Sequence, residues 1–158
     1  MIARDELAEA YARYGAIVLR RALTLLGNRD EARDAMQEVF VRVIEKHEQF
    51  RGDVPLLRWI YRITTNVCLN RRRQRRAHPV VDDPEAVLAL AGPGADWVDR
   101  ATVIALLGRF DAVTQEMAVY YYLDEMSMEE VAETVGYSRK TVGKKLDRFR
   151  VRAQALLR

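Results

Sequence analysis

Apolar residues in this chain recur at steps of three and four almost throughout, and no useful stretch alternates with the period of two that a half-buried strand needs. Leu7, Tyr11, Tyr14, Val18, Ala22 and Leu25 form one such stripe. Ala32, Ala35, Met36, Val39, Phe40, Val43 and Ile44 form the next, leaving Arg33, Asp34, Gln37, Glu38 and Arg42 on the outward face. The breaks between stripes are as informative as the stripes. Gly27 ends the first helix, and Asn28 followed by Glu31 has the form of a capping box opening the second. Phe50 to Pro55 carries turn residues, and Pro55 suits the first turn of a third helix running to about Ala77. In that helix Trp59, Ile60, Ile63 and Val67 face inward, while Arg58, Arg62, Asn66 and Asn70 occupy other faces.

Between His78 and Asp96 stand Pro79, Pro84, Gly92, Pro93 and Gly94 among acidic and small residues, the composition of a linker. A second helical group follows. Val103, Leu106, Leu107 and Phe110 mark one helix, and Thr114 is placed to cap another that carries Met117, Ala118, Tyr121 and Tyr122 and stops around Asp124 and Glu125. Ser127 and Glu130 form a capping box for a short helix through Val135; Gly136 closes it with a left-handed turn, and Ser138 caps the last helix. The expected fold class is all-α, with two small helical domains, residues 1–77 and 98–158, joined by a flexible linker over 78–97. With 158 residues and an apolar fraction of 49%, two such cores can be filled.

The net charge of +3 conceals a strong pattern. Residues 58–79 hold 7 basic and no acidic side chains, residues 80–99 hold 5 acidic and no basic ones, and residues 138–158 hold 8 basic and 1 acidic. Two positive helical segments flanking a negative connector favour phosphate contacts over a merely solvated face. Other classes of function fit poorly. A lone cysteine, Cys68, supports neither a disulfide framework nor a cysteine-rich metal site. Early acids, Asp5 and Glu6, are unlike a signal peptide, and no apolar run approaches a membrane span, so a cytoplasmic location without membrane insertion is expected. His47 and His78 fall on a polar helix end and the linker, with no glycine-rich phosphate loop and no acid cluster of metal spacing. Neither catalysis nor a cofactor or metal is therefore expected.

From Ser127 to Leu146 the order short helix, glycine turn, second helix is that of a helix-turn-helix. Ala132 allows close approach, and Val131, Val135, Val142 and Leu146 seal the pair. Ser138, Arg139, Lys140, Lys144 and Arg148 then face phosphates and base edges in the major groove. The plain alternative is a helical hairpin with a basic solvent face. In the third helix, arginine and asparagine beside aromatic rings suit single-stranded or distorted DNA. Trp59 reads more readily as core; Phe50 either touches a base or anchors its loop.

Three segments in order give a more specific reading. Asp34-Ala35-Met36-Gln37-Glu38-Val39-Phe40, then Phe50-Arg51-Gly52-Asp53 with Trp59-Ile60-Tyr61-Arg62-Ile63 and Asn66, then Ser127 to Arg150, together resemble the extracytoplasmic-function group of bacterial sigma factors. The resemblance spans nearly the whole chain as a region 2 lobe, a linker and a region 4 lobe. It implies an initiation subunit of RNA polymerase that docks on the beta-prime clamp helices through Asp34, Gln37, Glu38 and Arg42. It further implies minus-10 DNA contacts by Phe50, Arg51, Asp53, Arg58, Arg62, Asn66, Asn70, Arg71 and Arg73, with a flipped base near Phe50 and Asn66. The C-terminal lobe would bind the beta-flap and meet minus-35 DNA through Ser138, Arg139, Lys140, Thr141, Lys144, Lys145 and Arg148. An anti-sigma factor is a further partner compatible with the family, and the acidic linker resembles the segment that threads toward the polymerase active site. The chain departs from the pattern in two places. Val54-Pro55-Leu56-Leu57 stands where a small residue and an aromatic are usual, and Arg139, Lys140 and Gly143 alter the recognition helix. The rival binding-module reading is a helix-turn-helix repressor or activator that works without core polymerase; it leaves the polar face of the second helix unused.

Overall fold

The computed structural model describes residues 4–75 and 100–156, and the expected linker, the end of the third helix and Trp97 lie outside them. The chain divides into two compact units, Met1–Val80 and Val81–Arg158. All regular structure among the described residues is helical.

The N-terminal unit consists of α1 (Arg4–Leu26), α2 (Arg29–Lys46) and α3 (Leu56–Arg75), each packed on the other two. Gly27 takes φ +68° and ends α1, since a left-handed residue after a helix favours glycine. Asn28 then accepts the Glu31 N–H at 2.9 Å through Oδ1, opening α2. Val18, Ala22 and Leu25 of α1, Ala32, Ala35, Val39 and Val43 of α2, and Ile60, Val67, Cys68 and Leu69 of α3 are all buried where the three helices pack. Thr64 and Thr65 are buried as well, their hydroxyls donating back to Ile60 O and Tyr61 O at 2.8 and 3.0 Å, so neither leaves a polar group unsatisfied. Two inward assignments fail. Ile44 is 56% exposed and Tyr11 45% exposed, because the core of α2 follows Ala32, Ala35, Val39 and Val43, and Ile44 lies one residue past that line. Tyr11 nonetheless meets Phe40 edge-on, with ring centroids 4.8 Å apart.

Burial pushes the Cys68 thiol up to about 12. The thiolate is the reactive species, so the folded chain is expected to resist alkylation by iodoacetamide at pH 8 and to react promptly once unfolded. Rapid stoichiometric labelling under native conditions would contradict the packing of α3 against α1.

The C-terminal unit begins with α4 (Arg100–Leu106) and a 3-10 turn, Leu107–Arg109. Then come α5 (Ala112–Ala118), which widens into a π-helical turn over Val119–Leu123, α6 (Met128–Val135) and α7 (Arg139–Leu156). Two expectations are corrected at the first junction. Phe110 lies beyond α4 in extended conformation, and the cap of α5 is Asp111, whose Oδ1 accepts the Thr114 N–H at 2.9 Å. Thr114 sits inside the first turn, buried. Desolvation pushes the Asp111 carboxyl up, but bonds from Thr114 and the charge of Lys145 outweigh it and hold it below its ordinary value. Arg100 donates to Leu123 O at 2.9 Å, satisfying a carbonyl that the widened turn leaves free of a helical partner. Met117, Tyr120, Val131, Ala132, Val142 and Leu146 form one apolar cluster, so α5, α6 and α7 share a core.

Candidate nucleic-acid interface

The helix-turn-helix is built from three caps. Ser127 accepts the Glu130 N–H at 3.1 Å, the N-cap half of a capping box, and its hydroxyl donates to that residue's carboxylate at 3.2 Å. Gly136 takes φ +77° and returns its N–H to Ala132 O at 2.9 Å; Tyr137 N bonds the same carbonyl at 3.2 Å. Ser138 then accepts the Thr141 N–H at 3.2 Å and starts α7. Val142, Leu146, Phe149 and Ala153 are buried along one side of α7, which forces Ser138, Arg139, Lys140, Lys144 and Arg148 outward, and all five are exposed.

Not every predicted contact residue on α7 is equally available. Lys145 is half-buried and reaches Asp111 at 3.4 Å, pointing to the start of α5. Thr141 is half-buried too and accepts a hydroxyl proton from Ser138 at 2.9 Å. Arg139 is exposed but bonds Glu129 at 2.6 Å, and bonding to its own backbone N–H and to Arg139 holds the Glu129 carboxyl below its ordinary value. Tyr137, 44% exposed at the turn beside Ser138, is an aromatic neighbour of this face that the charge pattern did not pick out.

In the N-terminal unit the loop between α2 and α3 turns at Gly52, φ +76°. Arg51 and Asp53 are exposed on it, as is Asn66 on α3, whereas Arg58, Arg62, Asn70 and Arg73 are half-buried. Phe50 packs against Trp59 with ring centroids 5.3 Å apart. The same ring lines a hollow of about 480 Å³ with Gly52, Val54 and Leu56 of the loop and Glu6, Glu9, Ala10, Arg13 and Tyr14 of α1. Phe50 thus both anchors the loop and borders a cavity, while Trp59 is half-buried beneath it.

The basic run at the end of α3 is largely turned inward. Arg71 donates to Glu38 at 2.8 Å, Arg72 to Leu25 O at 2.5 Å, and Arg75 to Leu26 O at 2.9 Å and to Glu31 at 2.7 Å. The Arg72 and Arg75 guanidinium groups supply positive charge and donors at the C-terminus of α1, where carbonyls lack helical partners. Arg71 is therefore engaged within the unit rather than presented as a free phosphate ligand.

The predicted docking face of α2 divides in the same way. Asp34 and Gln37 are exposed, but Glu38 bridges Arg42 at 3.0 Å and Arg71 at 2.8 Å. Desolvation raises the Glu38 carboxyl, and the hydrogen bonds and charges of Arg71 and Arg42 outweigh it, holding it below its ordinary value. Val41, 52% exposed, and Ile44 continue the line of Asp34 and Gln37 at steps of four and three. Val41 went unnoticed in the sequence, although a valine among outward polar residues was the available signal.

Among the described residues no group of three or more His, Cys, Asp or Glu is placed to hold a metal ion, and no helix is long and apolar enough to cross a membrane.

A region 2 helical unit and a capped helix-turn-helix in one chain are the parts of a sigma factor, and comparison with known proteins agrees. The family description "Sigma-70 region 2" matches residues 10–78. RNA polymerase sigma factor CnrH of Cupriavidus metallidurans is 28% identical, over 92% of this chain and 83% of that protein. ECF RNA polymerase sigma factor SigW of Bacillus subtilis is 25% identical, over 98% of this chain and 90% of that protein. The fold is shared with CnrH solved in complex with the cytosolic domain of CnrY, at a TM-score of 0.63 and 23% identity over 98% of this chain and 89% of that one. It is also shared with the sigma factor RpoE in complex with the anti-sigma factor NepR from Bartonella quintana, at 0.58 and 18% identity over 96% of each chain. Residues 10–78 thus match sigma-70 region 2, and over most of its length the chain is similar to extracytoplasmic-function sigma factors.

Proposed function

We propose that this chain is a cytoplasmic, non-catalytic promoter-specificity subunit that binds core RNA polymerase and directs initiation at promoters with separate minus-10 and minus-35 elements. The observation that carries the reading is α7: two buried apolar positions, Val142 and Leu146, turn Ser138, Arg139, Lys140, Lys144 and Arg148 together into solvent at the start of a capped recognition helix. Residues 1–77 act as the polymerase-docking and minus-10 domain, 98–158 as the minus-35 domain, and 78–97 as the linker. Strand capture supplies the energy for melting, since a base held at the loop of Phe50 and Asn66 offsets an unstacking cost of about a few kcal/mol. The region 2 match favours this over a free helix-turn-helix regulator, which needs no such unit. Both solved relatives were captured with a bound partner protein, one of them described as an anti-sigma factor, which supports a similar inhibitor for this chain.

Transcription in vitro with core polymerase, this chain and a genomic fragment library, followed by sequencing of the 5′ ends, is the direct test. Discrete start sites sharing two spaced motifs are expected; no chain-dependent transcripts would refute the proposal. Asp34→Ala with Gln37→Ala removes two exposed side chains, so folding should persist while affinity for core polymerase falls about tenfold. Unaltered affinity in a titration would remove α2 from the docking surface. For α7, Lys144→Ala with Arg148→Ala is expected to flatten the dependence of log K on log salt by about 0.9 for each phosphate no longer neutralised. An unchanged slope would show that neither side chain meets phosphate.

A further inference from the structure

Glycine is the poorest ordinary residue for a helix interior apart from proline, because it has the most backbone freedom to lose. Gly143 nevertheless lies inside α7, and nothing in the fold asks for it. Its φ is not positive, so no turn or left-handed conformation is at stake. A Cβ built there would meet no heavy atom within 4 Å, so no neighbour in the unit needs the space either. Both ordinary reasons for a helical glycine, strain and internal crowding, are therefore excluded.

The position of this glycine suggests what it serves. Val142 and Leu146 are buried, whereas Arg139 and Lys140, one turn earlier, and Lys144 and Asp147 on the far side are exposed. Gly143 is half-exposed among them, a stretch of bare backbone bordered by charged side chains on the outward half of the helix. We infer that Gly143 is a specificity-determining position at which the α7 backbone comes into van der Waals contact with the edge of a base pair in the major groove, a contact that any side chain would hold apart. This rests on the proposed role of α7 and deepens it. The flanking cations set the helix on the phosphates, and the bare backbone lets it sit closer to the bases than a helix with a Cβ at that point.

A second glycine supplies the control. Gly15 in α1 has equally open surroundings and a non-positive φ, but it lies in the other unit and not on α7. Gly143→Ala and Gly15→Ala should each raise the melting temperature of the full-length chain by about 4 °C or more, since each removes the same helix penalty without a clash. Only Gly143→Ala should weaken binding. The measurement is affinity of the holoenzyme, formed from core polymerase and the full chain, for a duplex promoter selected from genomic fragments by the wild-type holoenzyme, beside a scrambled duplex of equal length. A loss of about tenfold on the selected promoter, with less than twofold change on the scrambled one, is expected for Gly143→Ala; Gly15→Ala should match wild type on both. If Gly143→Ala binds the selected promoter as tightly as wild type, the close approach does not exist and only this inference falls. If the wild-type holoenzyme selects no promoter, the broader reading of α7 falls with it. A Gly143→Ala chain that loses stability would show an internal need for glycine and also overturn the inference.

Discussion

Replacing Arg75 with alanine should lower the stability of the N-terminal unit by about 2 to 3 kcal/mol. One guanidinium joins three helices: it leaves α3, bonds Leu26 O at the end of α1 at 2.9 Å, and pairs with Glu31 in the first turn of α2. The two charged side chains are only 16% and 27% exposed, so water does not readily take the place of the missing partner. Removal strands a half-buried carboxylate and a helix-terminal carbonyl together, and that double loss exceeds the value of a surface ion pair. In a domain of this size the change corresponds to a fall of about 10 °C or more in melting temperature. Cys68 offers a unit-specific readout, because its alkylation rate follows opening of the N-terminal core and is blind to the other unit. Arg75→Lys should recover only part of the loss, since an ammonium lacks the fork that serves two acceptors at once. An Arg75→Ala chain that melts and labels like wild type would show the clamp to be ornamental.

In the C-terminal unit the most damaging truncation is expected to be Phe149→Ala, at about 3 to 5 kcal/mol. Phe149 is fully buried on α7, with Phe110 at 4.7 Å on one side and Tyr122 at 5.6 Å on another. It ties the recognition helix to the segment before α5 and to the widened turn after it. A cavity there loosens α7 without touching any exposed basic residue, so binding to the selected promoter should collapse while Cys68 protection stays as in wild type. Retained promoter affinity in Phe149→Ala would mean that α7 holds its orientation without this anchor.

Local chemistry is what the sequence displayed best. Asn28, Ser127, Gly136 and Ser138 act within three or four residues of themselves, and each terminates or opens a helix where its side chain or its lack of one predicts. Asp111 and Thr114 show the limit of that legibility, being two capable caps three residues apart. Asp111 is the one used, and Phe110 just before it stands extended with its ring 4.7 Å from Phe149, a contact far along the chain. Ile44 shows a second limit: a period of three and four does not fix how wide the covered stripe is, and in α2 it takes in Val43 and leaves out Ile44 one residue on. The arginines of α3 show the largest one. A tally of charge along the chain finds a phosphate-binding run, but the acceptors of Arg71, Arg72 and Arg75 stand 33 to 49 positions earlier, invisible to any local pattern. Part of the candidate interface was thus legible as composition and became assignable only with tertiary partners in view.

Those inward-turned arginines also bear on how the chain behaves in a cell crowded with RNA. Among the described residues, Arg71, Arg72 and Arg75 hold acceptors within the N-terminal unit and are less available to polyanions. If the proposed function holds, indiscriminate adhesion of this helix to transcripts and bulk chromosome is expected to be damped, leaving long-range attraction mainly to the exposed cations of α7.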